Sequence, residues 1–314
     1  MTVPAGGGSA NPVLHRLGEL GAWSSMEARP VAEQIAYAQR AEALGFGAVW
    51  ANEISGREPF ALLGALVTRT ERIGLGLGVA SIYARDAAAA RAGTRTIAEL
   101  SGDRFVMGLG VSHRERVEDE RGHVYERPLP AMRAYLGAWE RAPYTAHPPR
   151  EEPPLVLAAL RDGMLGLAGS RADGAFAYLV PVAYVGRARA RLDAAAAEAG
   201  RRPPALIVNL PAVAEEDAGV ARAAARTYLA GYLRRPAYRA NLLEHGLAEA
   251  DLAGGGSDRL VDALVAWGPA ERVGERAAAL RAAGADHLVL MPISAAGAVS
   301  DPVALEALAG TLLG

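Results

Sequence analysis

Eight short apolar runs recur along this chain, and a longer stretch rich in Ala, Leu and Arg follows each one. That alternation restricts the fold more than any other feature. The runs fall at residues 20–23, 48–51, 73–79, 105–109, 155–158, 174–178, 206–213 and 286–291. Helical stretches are expected near 31–44, 60–70, 87–100, 130–141, 164–171, 184–199, 218–233 and 271–283. Strands alternating with helices build parallel βαβ units, and eight such units close a barrel. Gly45 and Gly284 stand where a left-handed cap would stop a helix before the next strand. The reading is an α/β fold, a (β/α)8 TIM barrel, with an open doubly wound sheet as the structural alternative.

At 314 residues the chain suits one barrel domain spanning 1–314. Residues 1–18 read as a flexible N-terminal arm without the charged and apolar regions of a signal peptide. Residues 234–268, with Gly254-Gly255-Gly256-Ser257 in their middle, read as an insertion before the last β/α unit. Excursions of this kind serve as lids or dimer contacts, and a homodimer is expected. A second polar loop, 113–128, follows the fourth strand at the end where barrel enzymes place their chemistry.

Composition removes several functions. A net charge of −2 offers no basic field for nucleic acid and no polybasic patch for a membrane surface. No apolar run approaches the roughly 18 residues of a membrane span, so the expected location is cytoplasmic. With no cysteine, thiolate catalysis and thiolate metal sites are excluded. The chain also has no lysine, which excludes Schiff-base chemistry and a P-loop. The six histidines lack the spacing of a helical zinc site, and no metal is expected. Triad hydrolysis has no support either, because no GxSxG elbow occurs.

The remaining candidates cluster at strand ends. Gly74, Gly76 and Gly78 lie within a strand pattern rather than at a strand-to-helix turn, which argues against a dinucleotide fingerprint. With Gly108 and Gly110 they suggest a flat ligand lying close over the backbone, or simple crowding in the barrel mouth. His113 follows Gly110-Val111-Ser112 at the fourth strand's end, where a functional role is expected. Glu53 ends the second strand, either binding or catalysing, or pairing with Arg57 at the rim. His287 opens the last strand and reads as a core or rim residue.

Three segments carry a family resemblance: ALGFGAVW (43–50), IGLGLGVASIYARD (73–86) and GDRFVMGLGVSH (102–113). With RVGERAAALRAAGADHLVLMPI (272–293) they resemble the luciferase-like monooxygenase superfamily, most of all its coenzyme F420-dependent branch. The resemblance implies a non-prolyl cis peptide at Gly78–Val79, with Ala80 and Ser81 completing a wall behind the deazaflavin ring. It implies that Glu53 meets the ring's polar edge. It also places His113 where relatives carry a catalytic glutamate, and a phosphate-wrapping loop at Ala158, Ala159, Leu160 and Arg161. Trp50 and Ser112, near these residues, are expected to meet a small-molecule substrate. After the sixth strand, relatives carry Pro-Glu-His where this chain has Pro181-Val182-Ala183. The function implied is an F420-dependent oxidoreductase moving a hydride. The alternatives are an FMN-dependent monooxygenase or a cofactor-binding barrel without turnover.

Overall fold

The computed structural model describes residues 11–25, 27 and 29–314. Its ten parallel strands are β1 (Leu20–Ser24), β2 (Ala48–Ala51), β3 (Gly74–Leu77), β4 (Ala80–Ser81) and β5 (Phe105–Gly110), then β6 (Leu155–Ala158), β7 (Gly174–Ala177), β8 (Ala205–Val213), β9 (Ala266–Trp267) and β10 (His287–Ile293). Eight of these form a closed barrel in which β10 bonds to both β8 and β1. The pairing of Leu20 with Leu288 closes the ring and excludes the open doubly wound sheet. The expected runs at 48–51 and 155–158 match their strands, and the other six differ by one or two residues at an end. Almost every strand residue is buried, as parallel strands covered on both faces must be.

The third run departs most from a plain strand. It was expected to continue to Val79, but β3 stops at Leu77 and the peptide Gly78–Val79 is cis. The chain then resumes as β4, which pairs with the end of β5 through Ala80 and Leu109.

Inside the barrel, Trp23, Trp50, Val106, Val156, Phe176, Ile207 and Val289 belong to one buried cluster. The Trp50 and Phe176 rings lie 5.1 Å apart. The strand glycines make room for this filling. A Cβ on Gly76 would sit inside the Trp50 indole, one on Gly108 would meet the Leu77 carbonyl, and one on Gly110 would lie 2.6 Å from a Val79 methyl. Crowding within the barrel is thus enough to require glycine at these three positions.

The expected N-terminal arm is corrected over its second half. Pro12–Leu17 is a helix whose N-cap, Asn11, accepts the Val13 N–H at 2.9 Å. Val13 and Leu17 are fully buried, because the barrel's N-terminal end needs apolar cover. Residues 1–10 of that arm lie outside the described residues. The insertion carries helices Pro236–Glu244, Glu249–Leu252 and Asp258–Leu264 before β9. Its buried Tyr238, Leu242, Leu260 and Val261 join the cluster that fills the barrel. Among the described residues, no helix is long and apolar enough to cross a membrane.

Candidate active site

A cleft opens where the strands end, as barrel topology requires of an enzyme site. Its floor is the Gly78–Ser81 bulge with Gly110 and Ala158, and its aromatic wall is Trp23, Phe176 and Tyr178. Phe176 and Tyr178 stack at 22° with centroids 6.3 Å apart. Small floor residues lie beside flat rings, and Asn52, Ser81 and Ser112 add polar groups to the lining.

Glu53 lines the cleft, but its carboxylate is already engaged. One oxygen accepts the Ser81 N–H at 2.8 Å and an Arg85 N–H at 3.2 Å. The other pairs with the second Arg85 nitrogen, and the Glu53 side chain is only 5% exposed. Arg85 also pairs with Glu58 at 3.1 Å and lies over the Phe60 ring. The partner is thus Arg85, not Arg57, whose guanidinium donates to the Arg29 carbonyl at 3.0 Å. Glu53 ties the second strand's end to the bulge and holds the floor in place.

Ser112 takes a positive φ of 57°, a conformation serine seldom adopts. His113 follows it into the cleft, its ring 6.0 Å from that of Tyr238. Burial lowers the His113 pKa to about 4, helped by Arg235 and Arg116 and opposed by Glu115. At neutral pH the imidazole is therefore uncharged.

One expectation, the place of Trp50, is corrected here, and the loop after β6 has contacts of its own. Trp50 is fully buried one layer below the cleft, where its indole N–H donates to His287 Nε2 at 2.9 Å, so it does not meet a substrate. The loop after β6 contributes only Ala158 to the cleft. Ala159 is buried with its carbonyl accepting the Tyr184 hydroxyl at 3.1 Å, and Leu160 packs against the core. Arg161 pairs with Glu244 of the insertion at 3.4 Å, because the inserted helix brings that acid to the loop.

Sequence reasoning missed the aromatic wall of Trp23, Phe176 and Tyr178 and the polar Asn52, and it missed further residues from the two long loops. Arg116 stands on a single π-helical turn, Arg116–Glu120, within the polar loop after β5. Tyr232, Arg235 and Tyr238 enter from the insertion and its approach. Tyr232 and Tyr238 meet edge to face at 5.4 Å, and Tyr178 receives the Tyr228 hydroxyl hydrogen at 2.8 Å. The available signal for Tyr232, Arg235 and Tyr238 was the concentration of Arg and Tyr in 232–238, at the start of the stretch 234–268 read as an insertion.

A closed barrel with a bulged third strand under a mouth cleft defines a class, and the sequence agrees. The sequence model of the luciferase-like monooxygenase family matches residues 15–287, and the chain belongs to this family. It is 32% identical over 143 residues to a Mycobacterium tuberculosis protein named as a coenzyme F420-dependent oxidoreductase, covering 44% of this chain and 40% of that one. It is 29% identical over 248 residues to the 5,10-methylenetetrahydromethanopterin reductase of Methanolobus tindarius, covering 72% and 75%. Among solved structures, the coenzyme F420-dependent tetrahydromethanopterin reductase of Methanopyrus kandleri shares the fold with a TM-score of 0.74 at 17% identity, covering 94% of this chain and 98% of that one. The oxygenating constituent of 3,6-diketocamphane monooxygenase from Pseudomonas putida, in complex with FMN, shares it at 0.71 and 16%, covering 94% and 96%.

Proposed function

We propose that this chain is an F420-dependent oxidoreductase that moves a hydride between reduced deazaflavin and a small organic substrate. The carrying observation is the cleft itself: a flat floor at Gly78–Ser81, held by Glu53 and Arg85, with an uncharged imidazole at His113 lining the same space. The Mycobacterium tuberculosis relative named for coenzyme F420 supports this cofactor over FMN. When bound, the deazaflavin supplies or receives the hydride, two electrons with one proton, at a ring carbon.

The protein's part is to orient and to manage the second proton. Backbone at Val79–Ser81 and the aromatic wall hold the ring flat, and the Ser81 N–H stays fixed by Glu53. His113 exchanges a proton with the heteroatom on the substrate carbon that gives or takes the hydride. In the free enzyme the ring nitrogen accepts that proton, because the imidazole is neutral above about pH 4.

Titrating the purified protein with F420 and with FMN tests the cofactor. Tighter binding of F420 is the expected outcome. Micromolar FMN affinity with no detectable F420 binding would overturn it in favour of an FMN-dependent monooxygenase.

A further inference from the structure

Two positive charges in the cleft have no carboxylate paired with them among the described residues. Arg116 and Arg235 both line it, one from the π-helical turn and one from the foot of the inserted helix. Neither makes an ion pair with a carboxylate among the described residues, and four of the acids around the cleft are engaged elsewhere. Glu53 belongs to Arg85 and the Ser81 N–H. Glu27 accepts the Ser55 and Gly56 N–H groups, both at 2.7 Å. Glu118 takes Arg114 at 2.6 Å, and Glu120 takes the Ser55 hydroxyl. Arg235 rests on the Tyr232 ring, its guanidinium carbon 5.2 Å from the centroid.

Two like charges sharing a half-buried space repel each other, and each loses hydration. Burial and Arg235 lower the Arg116 pKa, and Glu120, Tyr232 and Glu27 offset them only in part. Planar guanidinium groups in that position match the oxygens of a carboxylate or phosphate, which would offset both costs with paired charge-assisted hydrogen bonds.

We propose that Arg116 and Arg235 form an anion subsite for a carboxylate or phosphate carried by the substrate, so that the compound oxidised or reduced in this cleft is an organic anion. The proposal rests on the hydride-transfer reading above. It assigns the pair to substrate rather than cofactor because both arginines share their part of the cleft with His113, the residue that meets the reacting group. Tyr238, whose ring lies beside both His113 and Tyr232, links the two loops there.

The test uses the cofactor-free protein, with succinate and inorganic phosphate as probes. Binding is followed by the emission of Trp23, which lines the cleft, and by the NMR titration of His113. Succinate or phosphate should bind, and the bound anion should raise the His113 pKa by offsetting Arg116 and Arg235, with Glu115 and Tyr238 unchanged beside it. Arg116→Gln and Arg235→Gln should each weaken anion binding by about 10–100-fold, the range for losing a hydrogen bond to a charged group. Arg114→Gln, on an exposed residue paired with Glu118, serves as the fold and charge control and should leave anion affinity within about twofold.

F420 affinity should stay unchanged in all three variants. An equal loss of F420 affinity in Arg116→Gln and Arg235→Gln would assign the pair to the cofactor's phosphate and overturn the proposal. Anion binding that is absent, or indifferent to both substitutions, would overturn it as well. If wild-type protein fails to bind F420 at all, the hydride-transfer reading falls. If F420 binds and the anions do not, only the anion subsite falls.

Discussion

His113 owes its chemistry to its neighbours more than to its residue type. An isolated histidine titrates near about 6.5, and that value would place a rate inflection close to neutrality. In the folded protein burial, Arg235 and Arg116 bring it to about 4. As a proton acceptor His113 needs its neutral form, so kcat/KM should fall as the pH drops through about 4 and show no inflection from this residue near 6.5. Arg235→Gln should move that inflection upward. His113→Ala should lower kcat by about 10²–10⁴-fold while F420 affinity changes little. Full kcat in the alanine variant would end the catalytic assignment. At this scale the sequence was readable where position alone decides. Glu53, Ser81, Ser112 and His113 follow strand ends and do line the cleft. Trp50 misled because it sits only three residues before Glu53, yet its indole points into the barrel filling. The titration of His113 was not readable, since its burial, the largest cause of the shift, and the two arginines that add to it depend on loops of irregular geometry.

At the scale of elements, the N-terminal helix and the insertion cover opposite needs of the barrel. The helix Pro12–Leu17 covers the end away from the cleft, and the Leu17 carbonyl lies where a Cβ on Gly47 would be. Leu17→Ala removes a fully buried side chain with little scope for collapse, so it should cost about 2–5 kcal/mol in urea unfolding while leaving F420 affinity intact. A loss below about 0.5 kcal/mol would show that the helix is not part of the cooperative unit. The apolar spacing of Val13 and Leu17, four residues apart, was a legible helical signal that the glycine-rich residues before it obscured. In the insertion, Tyr238, Asn241 and Leu242 repeat the same spacing and are all buried. The phase of that helix was therefore written in the sequence. Its approach to His113 was not, because the turn at Arg234–Pro236 sets the direction and no residue pattern reports it.

For the whole molecule, ring closure and acid sensitivity meet at His287. Its Nδ1–H donates to the Gly18 carbonyl at 2.8 Å, and its Nε2 accepts the Trp50 indole N–H at 2.9 Å. Both ring nitrogens are satisfied only when the imidazole is neutral, and burial holds its pKa at about 4. The unfolded chain binds this proton near about 6.5, so it carries more protons than the folded chain between those values. Stability is therefore full above about pH 6.5 and is lost as the pH falls towards 4. Between pH 7 and pH 5 urea unfolding should register a loss of roughly 2 kcal/mol from His287, with His113 acting in the same direction. His287→Gln should flatten that dependence while lowering stability at pH 7. The eight-unit alternation made the barrel legible because parallel strands need helical crossovers and each leaves a periodic trace. Closure left no such trace; it depends on the twist and tilt that every strand contributes.

The hydrogen bond from His287 to Gly18 spans 269 positions, and it sits on the seam where β10 meets β1. A ribosome adding about 5–20 residues per second needs on the order of 10–50 s between making one partner and the other. Throughout that interval β1 has β2 on one side and an open hydrogen-bonding edge on the other. A nascent chain in this state is a template for any stray strand, including that of a neighbouring copy. The yield of active protein should therefore depend on the pace of translation and on chaperones that shield β1, more than on the stability of the finished barrel.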